Sequence, residues 1–568
     1  MAPAKTQTNL KNIVTVTGEE QTFNAGLLGG DEYARLSGYA PVSDPKLIED
    51  VPQTSIHPHR RRRVVIVGGG VNGIQQAIGL LGSGHIKHED MVIFETMREF
   101  GGTWVKNSYP GCACDVPSMV YTTSYYISKS YRNFFPKRDE ILQYYHNFAR
   151  DYQLDRCTRF NSLVRSCVWD EDRMIWHVAV ADKAGKVEHW ACDVLIHCTG
   201  NLDRPKYGNT PGREVFKGDS WHTADWRHDY DLTGKTVAVV GCGPSAAQII
   251  PEIVDKTKHL TVYMRNPPLC IPRGDYTYNS LFRFAMKWIP YFPNLVRAYI
   301  LWPIEKYGMR LVTENDKLNE DATQKAHKQL EQQVKDPVLR EKLRPTAKYW
   351  CKRVLLLDTF YPALSKPNCT VLRDHLVSYT EGGIISADKT TGKQEERKYD
   401  VVIYGTGFNN AQYLEHITVR GVDGADIHTQ WKDHPEALYG LAASRFPNMF
   451  MCFGPNSVGF WSSPLDTWQN QAEFNAMAIG EIIRREKQGN KFAMCPNRRV
   501  EEEYNQLVQK NQERYTWANP SCHSYYKNDG GWITFTMPWS HSEYHQMTHK
   551  INWEEWDLYE KPLPACKL

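Results

Sequence analysis

Two glycine-rich turns carry the residues whose types and spacing most clearly indicate chemistry. The first follows the apolar run Val64 to Val67 and places Gly68, Gly70 and Gly73 in a G-x-G-x-x-G spacing. Apolar residues then recur at helical spacing, so the stretch predicts a buried strand, a tight turn and a helix. Glycine suits all three positions because the turn needs unusual backbone angles, a pyrophosphate must approach the main chain, and the helix must pack close to the strand. The start of the helix would then face the phosphates with unpaired N–H groups and its positive dipole end.

A carboxylate stands at the tip of the next predicted strand. Residues 91 to 94 form a short apolar run, and Glu95 ends it 22 residues after Gly73. An acid at this place can accept hydrogen bonds from both ribose hydroxyls of a dinucleotide. The glycine spacing alone is a weak indication, but strand, turn, helix and terminal acid together predict a dinucleotide site.

The second turn follows the predicted strand 237–240 and differs from the first in two respects. Its third glycine is replaced by alanine, which the close packing of helix on strand tolerates. The next predicted strand, 260–264, ends in Arg265 instead of an acid. An acid there would repel a 2′-phosphate, whereas arginine can pair with it bidentately, so this site is predicted to prefer NADP over NAD. The residues of the turn are Gly241, Cys242, Gly243, Pro244, Ser245, Ala246, Ala247 and Gln248.

Two near copies of one buried strand indicate how the two units are connected. Residues 193–200 (DVLIHCTG) and 400–407 (DVVIYGTG) each end in Thr-Gly. We therefore predict an α/β fold of two dinucleotide-binding, Rossmann-like domains, the second, NADP-binding domain inserted into the first, with a mostly helical insertion. The predicted division is an N-terminal arm (1–59), a first segment of the first dinucleotide-binding domain (60–205), the NADP-binding domain (206–395, with the insertion at about 275–350), and a second segment of the first domain with a C-terminal tail (396–568).

Composition excludes several classes of function and favours a soluble location. The 68 basic and 65 acidic residues leave a net charge of +3, which gives no electrostatic case for nucleic acid. The 14 cysteines include no C-x-x-C pair and indicate free thiols in a reducing compartment, with no metal site. With no apolar run of 18 residues and no secretory leader, we expect a cytoplasmic protein. The final residues Cys566-Lys567-Leu568 resemble the S-K-L peroxisomal address, which makes the peroxisome the alternative.

Residues 281–305 are unusually rich in aromatic side chains. Prolines at 290, 293 and 303 are expected to interrupt the run, and residues 315–345 predict charged surface helices. We interpret the segment as an insertion that roofs a substrate cleft, and weak contact with a membrane surface is the alternative. The aromatic residues are Phe282, Phe284, Trp288, Tyr291, Phe292, Tyr299 and Trp302.

A resemblance to a known family arises between the two glycine turns. Residues 216–226 (FKGDSWHTADW) fit the pattern F-x-G-x-x-x-H-T-x-x-W, which resembles the signature of Baeyer–Villiger monooxygenases, the ketone-oxygenating branch of class B flavoprotein monooxygenases. The long loop 101–121, which contains Y-P-G-x-x-C-D, is similar to that family, as are Cys351-Lys352-Arg353 and residues 446–457. The resemblance covers about residues 60–560.

The resemblance implies an NADPH- and FAD-dependent monooxygenase that inserts one oxygen atom of O2 into a ketone, which the aromatic insertion suggests is bulky and apolar. It implies that Arg353 is the active-site arginine, that Asp115 positions it, and that His222 shapes the linker. For FAD it implies Gly68, Gly70, Gly73, Glu95, Thr103, Trp104, Asp115 and Tyr121. For NADPH it implies Gly241, Gly243, Ser245, Ala246, Gln248 and Arg265, with Lys352 reaching the phosphate and Arg353 beside the cofactors.

Departures from the family pattern keep alternatives open. Ala113, Val354 and Tyr525 stand where the family usually has Arg, Pro and Trp, and residues 460–464 (FWSSP) are unlike common members. One alternative is an N- or S-oxygenase with the same cofactors, which needs no Arg353. A disulfide reductase would have to use Cys112 and Cys114, and a flavin-binding protein without catalysis is a third alternative. No pattern specifies an oligomeric state.

Overall fold

The central element of the protein is a buried parallel strand in an eight-stranded sheet. The structure, a computed structural model, describes residues 30–42, 44, 46–49, 58–410 and 413–562. Strand Arg61–Val67 pairs in parallel with Met91–Phe94 on one side and with Val187–His197 on the other. Because both faces of this strand are covered, residues 64–67 form the continuous apolar run seen in the sequence. The other strands of this sheet are Thr158–Arg159, Leu163–Asp170, Ile175–Ala181, Thr418–Arg420 and Met449–Met451.

The second sheet has five strands, all parallel, and the chain enters it between two passes through the first. Its order is Cys369–Leu372, His259–Tyr263, Thr236–Val240, Val401–Tyr404, Asp219–His222. The chain leaves the first sheet after residue 197 and returns to it at residue 418. This is the predicted arrangement of one Rossmann-like unit inserted into another.

One predicted boundary is wrong. We placed the return to the first domain at residue 396, but Val401–Tyr404 lies in the second sheet, next to Thr236–Val240. The near copies 193–200 and 400–407 are alike because each strand lies beside the first strand of its own unit. The similarity of the two strands therefore marks equivalent positions in two sheets. The other boundaries remain predictions.

Helices cover the sheets and build the insertion. The helix after the first turn packs on a long helix near the C-terminal end, where Gly79 faces Ala472 and Asn475 Nδ2 donates to Gln76 Oε1 at 2.8 Å. The helices are Gly30–Leu36, Lys46–Glu49, Val71–Gly82, Thr103–Lys106, Arg138–Asp151, Pro244–Ile253, Ser280–Trp288, Phe292–Val312, Lys317–Gln333, Pro337–Lys342, Phe360–Leu364, Ile427–Gln430, Pro464–Glu486, Arg498–Gln512 and His541–Thr548. Smaller sheets join His375–Tyr379, Gly383–Ala387 and Gln394–Lys398; Cys270–Ile271 and Leu355–Leu356; and Asn490–Pro496 and Trp556–Pro562.

The described residues of the N-terminal arm are bound to the body. Tyr33, Ala34 and Tyr39 are buried together with Leu163 of the first sheet. The Tyr39 hydroxyl donates to the Thr96 carbonyl at 2.7 Å, two residues after the strand Met91–Phe94. The C-terminal tripeptide 566–568 lies outside the described residues.

The insertion differs from the prediction in the direction its aromatic side chains face. Pro290 separates two helices and Pro293 lies in a first turn, but Pro303 lies inside Phe292–Val312 without ending it. Only Phe282 and Phe292 of the seven aromatic residues pack against the core. The other five side chains are exposed to solvent, whereas side chains that line a substrate cleft would face inward. Among the described residues, no helix is long and apolar enough to cross a membrane.

The first glycine turn leads to a prediction about stability with an internal control. A Cβ at Gly73 would lie 1.9 Å from the Gly68 carbonyl oxygen, whereas a Cβ at Gly82, in the same helix, would meet nothing within 4 Å. We expect Gly73→Ala to lower the free energy of unfolding by about 2–3 kcal/mol, because backbone must move. Gly82→Ala should be neutral or slightly stabilising. Thermal unfolding followed by circular dichroism measures both, and equal melting temperatures would contradict the geometry.

Candidate active site

The first glycine turn has the shape of an anion cradle. Gly68 has φ +108°, and a Cβ there would lie 2.5 Å from the Cys198 carbonyl oxygen. Gly70 precedes the helix without a side chain to cap it. The first N–H groups of this helix are therefore left for a ligand, and the close approach of backbone that a pyrophosphate needs is present.

Glu95 lies at the end of its strand with its carboxylate held by the turn. It is buried and accepts hydrogen bonds from the Gly69 N–H at 2.6 Å and the Met97 N–H at 2.8 Å. Burial raises the pKa of Glu95, and the backbone hydrogen bonds oppose that rise. The acid is thus fixed beside the glycine turn, where the sequence predicted a partner for ribose.

The loop after Glu95 completes this side of the site. Gly102, with φ +50°, approaches Gly70 so closely that a Cβ there would lie 3.0 Å from the Gly70 Cα. Thr103 begins the short helix Thr103–Lys106. The Trp104 indole N–H donates to the Tyr121 hydroxyl at 3.2 Å, and the two rings meet edge to face. The loop that carries these predicted residues therefore reaches back to the first turn.

The second turn has the same backbone geometry as the first, but the alanine is on the helix and the glycine is at the end of the neighbouring strand. Gly241 has φ +111°, and a Cβ there would lie 2.3 Å from the Gly405 carbonyl oxygen. Gly68 approaches the Cys198 carbonyl oxygen in the same way. A Cβ at Gly405 would lie 2.6 Å from that of Ala246. The alanine in the third position therefore fits because the neighbouring strand has lost its own side chain. Gly243 precedes the helix Pro244–Ile253 without a side-chain cap.

Two cations lie beside this second turn. Burial and the charge of Arg265 lower the pKa of Lys352. Burial raises the pKa of the Cys242 thiol to about 11, and the positive charges of Lys352 and Arg265 both oppose this rise. Lys352, far away in sequence, is thus brought to the strand end that carries Arg265. A pair of cations at this place suits a 2′-phosphate.

Gln248 and Ser245 have a role that the sequence did not predict. The Tyr109 hydroxyl donates to Gln248 Oε1 at 3.0 Å, and Gln248 Nε2 donates to the Ala113 carbonyl at 2.9 Å. Ser245 also contacts the Tyr109 hydroxyl. A Cβ at Gly111 would lie 2.9 Å from the Gln248 carbonyl. The helix of the second unit therefore fixes the loop that carries Asp115.

Arg353 and Asp115 form the charged centre between the two units. Arg353 donates from Nε to Asp115 Oδ2 at 2.8 Å, and its Nη2 lies 2.6 Å from Oδ1, so the contact is bidentate. Burial alone would lower the pKa of the Arg353 guanidinium, but the negative charge and hydrogen bonds of Asp115 have the larger effect and raise it. The guanidinium also lies 5.0 Å from the Trp350 ring centroid and 5.6 Å from that of Phe460. A permanent, oriented positive charge is the result.

The cysteines correct one prediction. We expected free thiols throughout, but Cys351 and Cys522 form a disulfide, with Cα atoms 5.5 Å apart and a sequence separation of 171. The bond joins the segment of Arg353 to the C-terminal tail. The other described cysteines are free. Sequence spacing could not reveal the pair, because only the fold brings the tail to residue 351.

The tail supplies Tyr525, which the sequence marked as a departure from the family pattern, and Tyr526, which sequence reasoning missed. Tyr526 is fully buried beside Arg353, whose charge opposes the rise that burial causes in the tyrosine pKa. Tyr525, in the place of the family's Trp, lies with its ring centroid 4.5 Å from that of Tyr526. Phe460 packs on Tyr526 and Trp517. The unusual residues thus form an aromatic wall behind the arginine.

His222 and the Cys112–Cys114 pair lack the properties of reactive groups. Burial lowers the pKa of His222 to about 4, and its Nδ1 accepts the Ala224 N–H at 3.1 Å, as a linker residue would. Burial raises the pKa of Cys112 to about 12 and also raises that of Cys114. Thiols that stay protonated are poor nucleophiles, which argues against a disulfide reductase. The described residues contain no cluster of metal ligands.

Two nucleotide cradles and one fixed arginine define the class of an enzyme that binds two dinucleotides. The model of the flavin-binding monooxygenase-like family matches residues 61–427, and the chain belongs to this family. The FAD-binding monooxygenase BOA2 of Botryotinia fuckeliana (strain B05.10) is 32% identical over 90% of this chain and 97% of its own. A Baeyer–Villiger monooxygenase of Streptomyces coelicolor is 32% identical over 89% and 94%. The predicted family is thereby confirmed.

A solved structure supports the fold. A crystal structure of OTEMO in complex with FAD and NADP has a TM-score of 0.77 and 25% identity, and the match covers 88% of this chain and 99% of that one. A match of this extent includes both sheets. The predicted fold class is confirmed.

The two cations predict which nucleotide is preferred. We expect Arg265→Ala to raise KM for NADPH about tenfold or more and to leave KM for NADH unchanged, because only the former carries a 2′-phosphate. Lys352 binds only when protonated and its pKa is lowered. KM for NADPH should therefore rise as the pH is raised from neutral into the alkaline range, while KM for NADH stays level. Steady-state NADPH and NADH oxidation provides the measurement, and parallel losses for both nucleotides would contradict the assignment.

Proposed function

We propose that the protein is an NADPH- and FAD-dependent Baeyer–Villiger monooxygenase that inserts one oxygen atom of O2 into a ketone to give an ester or lactone. The observation that carries this proposal is the bidentate Arg353–Asp115 pair at the junction of two nucleotide cradles. When bound, FAD supplies the ring at which O2 is activated and NADPH supplies the reducing hydride.

The cofactor residues follow from the two cradles. FAD is assigned to the first turn, Glu95 and the loop around Trp104 and Tyr121. A Cβ at Gly68 or Gly73 would clash with a backbone carbonyl oxygen, so the turn keeps the close backbone approach that a pyrophosphate needs. NADPH is assigned to the second turn with Arg265 and Lys352. Gln248 and Ser245 act by holding the loop of Asp115 and so support both cofactors.

Arg353 supplies the charge that ketone oxidation requires. An oxygen nucleophile attacks a carbonyl well only when it carries negative charge, and the attack moves negative charge onto the carbonyl oxygen. A guanidinium that never deprotonates stabilises both. Asp115 holds it in one orientation through two hydrogen bonds, so no reorganisation is needed during the reaction.

The surroundings of Arg353 support an apolar substrate. Trp350, Phe460, Tyr525 and Tyr526 form one side of the centre and keep water away from the reacting atoms. The argument for a bulky ketone rests on this wall, because most rings of the insertion face outward. Good turnover of small cyclic ketones with none of polycyclic ones would contradict it.

The proposal also extends to partners and location. The substrates are a small-molecule ketone and O2. We place the protein in the cytoplasm, with the peroxisome as the alternative that the C-terminal tripeptide raises. Cell fractionation with and without residues 566–568 distinguishes the two places.

The paired charges lead to a prediction about coupling. Arg353→Ala should lower ketone product formation at least about 100-fold, while NADPH is still consumed and its electrons appear as hydrogen peroxide. Arg353→Lys should retain some of the activity, because charge remains but the fork geometry is lost. Asp115→Asn should fall between wild type and Arg353→Ala. Product, NADPH and peroxide measured in the same reaction give the coupling ratio.

Flavin content and NADPH consumption without ketone serve as controls for these variants. Product formation is expressed per bound flavin and per NADPH consumed, which separates a loss of chemistry from a loss of cofactor binding. An unchanged ratio of product to NADPH in Arg353→Ala would overturn the role of the arginine.

A further inference from the structure

The helical hairpin 280–312 exposes an unusually large apolar surface. On helix Ser280–Trp288 the exposed residues follow the spacing of one face, with Leu281 75% exposed. The turn and second helix continue it, with Tyr291 80% and Tyr299 82% exposed. Contiguous exposed patches of this kind mark a contact surface. The apolar surface consists of Leu281, Phe284, Trp288, Ile289, Tyr291, Leu295, Tyr299 and Trp302.

The second helix of the hairpin is apolar on its outward face as well as on its inward face, where Leu301 is buried and Ile300 packs against the core. Leu295, Tyr299 and Trp302, at successive turns, face outward. Arg297 faces inward, where its Nη2 lies 2.6 Å from both carboxylate oxygens of Asp466. A charged residue is costly to bury and an aromatic one costly to expose. The helix is therefore anchored by a buried ion pair and presents an apolar face outward.

The charged residues of the hairpin are mostly basic. Residues 280–312 contain five basic residues and a single acid, Glu305, which accepts a hydrogen bond from the Ser462 hydroxyl at 3.1 Å. Two lysines contact exposed rings of the apolar surface: Lys287 lies 4.9 Å from the Trp288 ring and Lys306 lies 4.5 Å from the Trp302 ring. Aromatic rings with lysines at their edge are the composition that binds the interface of an anionic membrane.

A cavity opens at the edge of the same surface. It has a volume of about 360 Å³ and lies between the loop 124–129 and the turn of the hairpin. Lys129 and Lys287 line it together with Tyr125, Trp288 and Tyr291. Two cations and three rings in one cavity suit a phosphate attached to an apolar chain, as in a phospholipid headgroup.

We propose that the hairpin 280–312 docks on the surface of a membrane that contains anionic phospholipids, with the apolar surface in the interface and a headgroup phosphate between Lys129 and Lys287. The buried Arg297–Asp466 pair transmits this attachment to the body. The two helices lie on the membrane and do not cross it, because no described helix has the length and apolarity of a span.

Co-sedimentation of the holoenzyme with lipid vesicles tests the proposal. We expect binding to phosphatidylcholine vesicles that contain phosphatidylserine, with affinity at least about fivefold lower for pure phosphatidylcholine and lower again at high salt. The variant Trp288→Ser/Tyr291→Ser/Trp302→Ser should lose at least about tenfold in affinity. Lys129→Glu/Lys287→Glu should lose the preference for phosphatidylserine.

A matched control removes exposed apolar residues elsewhere. Val215→Ser/Leu507→Ser/Leu558→Ser changes exposed residues on other elements and should bind vesicles as the wild type does. Oxidation of NADPH in solution should be the same for all variants, so a failure of the proposed reaction is seen separately. The proposal is overturned if the wild-type protein does not bind vesicles, or if the triple aromatic variant binds them as tightly as the wild type does. A dimer in sedimentation velocity that the triple aromatic variant abolishes assigns the surface to a second copy and also overturns it.

Discussion

The bidentate contact between Arg353 and Asp115 is the constraint on which the rest of the structure depends. Its two residues are 238 positions apart in sequence and come from different regions of the fold. Asp115 lies on a loop of the first unit that Gln248 of the second unit holds. Arg353 lies two residues after a cysteine that is bonded to the C-terminal tail. The geometry of this contact therefore depends on the positions of both sheets and of the C-terminal tail.

Different neighbours set the third residue of the glycine turn in the two nucleotide cradles. In the first unit the helix supplies Gly73 and the neighbouring strand retains Cys198; in the second the helix supplies Ala246 and the strand gives up its side chain at Gly405. A Cβ at Gly73 would clash with the Gly68 carbonyl oxygen at 1.9 Å, whereas the Cys198 Cβ would lie at an ordinary contact distance of 3.8 Å. In the second unit the Ala246 Cβ fits because Gly405 has no Cβ, which would lie 2.6 Å from it. The identity of the third residue in a glycine turn is thus set by its packing partner as well as by the nucleotide.

The local features of this protein could be predicted well from its sequence and the long-range features poorly. The two turns, Glu95, Arg265 and the family signature could be identified because their spacing is fixed by local backbone geometry. The strand Val401–Tyr404 was assigned to the wrong sheet, because a buried parallel strand looks the same in either one. The disulfide, the roles of Gln248 and Tyr526, and the outward-facing rings of the insertion were missed. Each of these depends on which distant segment covers a given face, and no local pattern encodes that.

The most direct test of the central claim is the fate of oxygen from labelled O2. Wild-type enzyme is supplied with NADPH, 18O2 and an equal mixture of a ketone and a thioether that share one apolar skeleton. If Arg353 directs the reaction to carbonyl groups, one labelled oxygen appears in the ester for each ketone consumed, and the thioether remains largely unchanged. Label found in the sulfoxide with none in the ester would contradict this account and identify a heteroatom oxygenase.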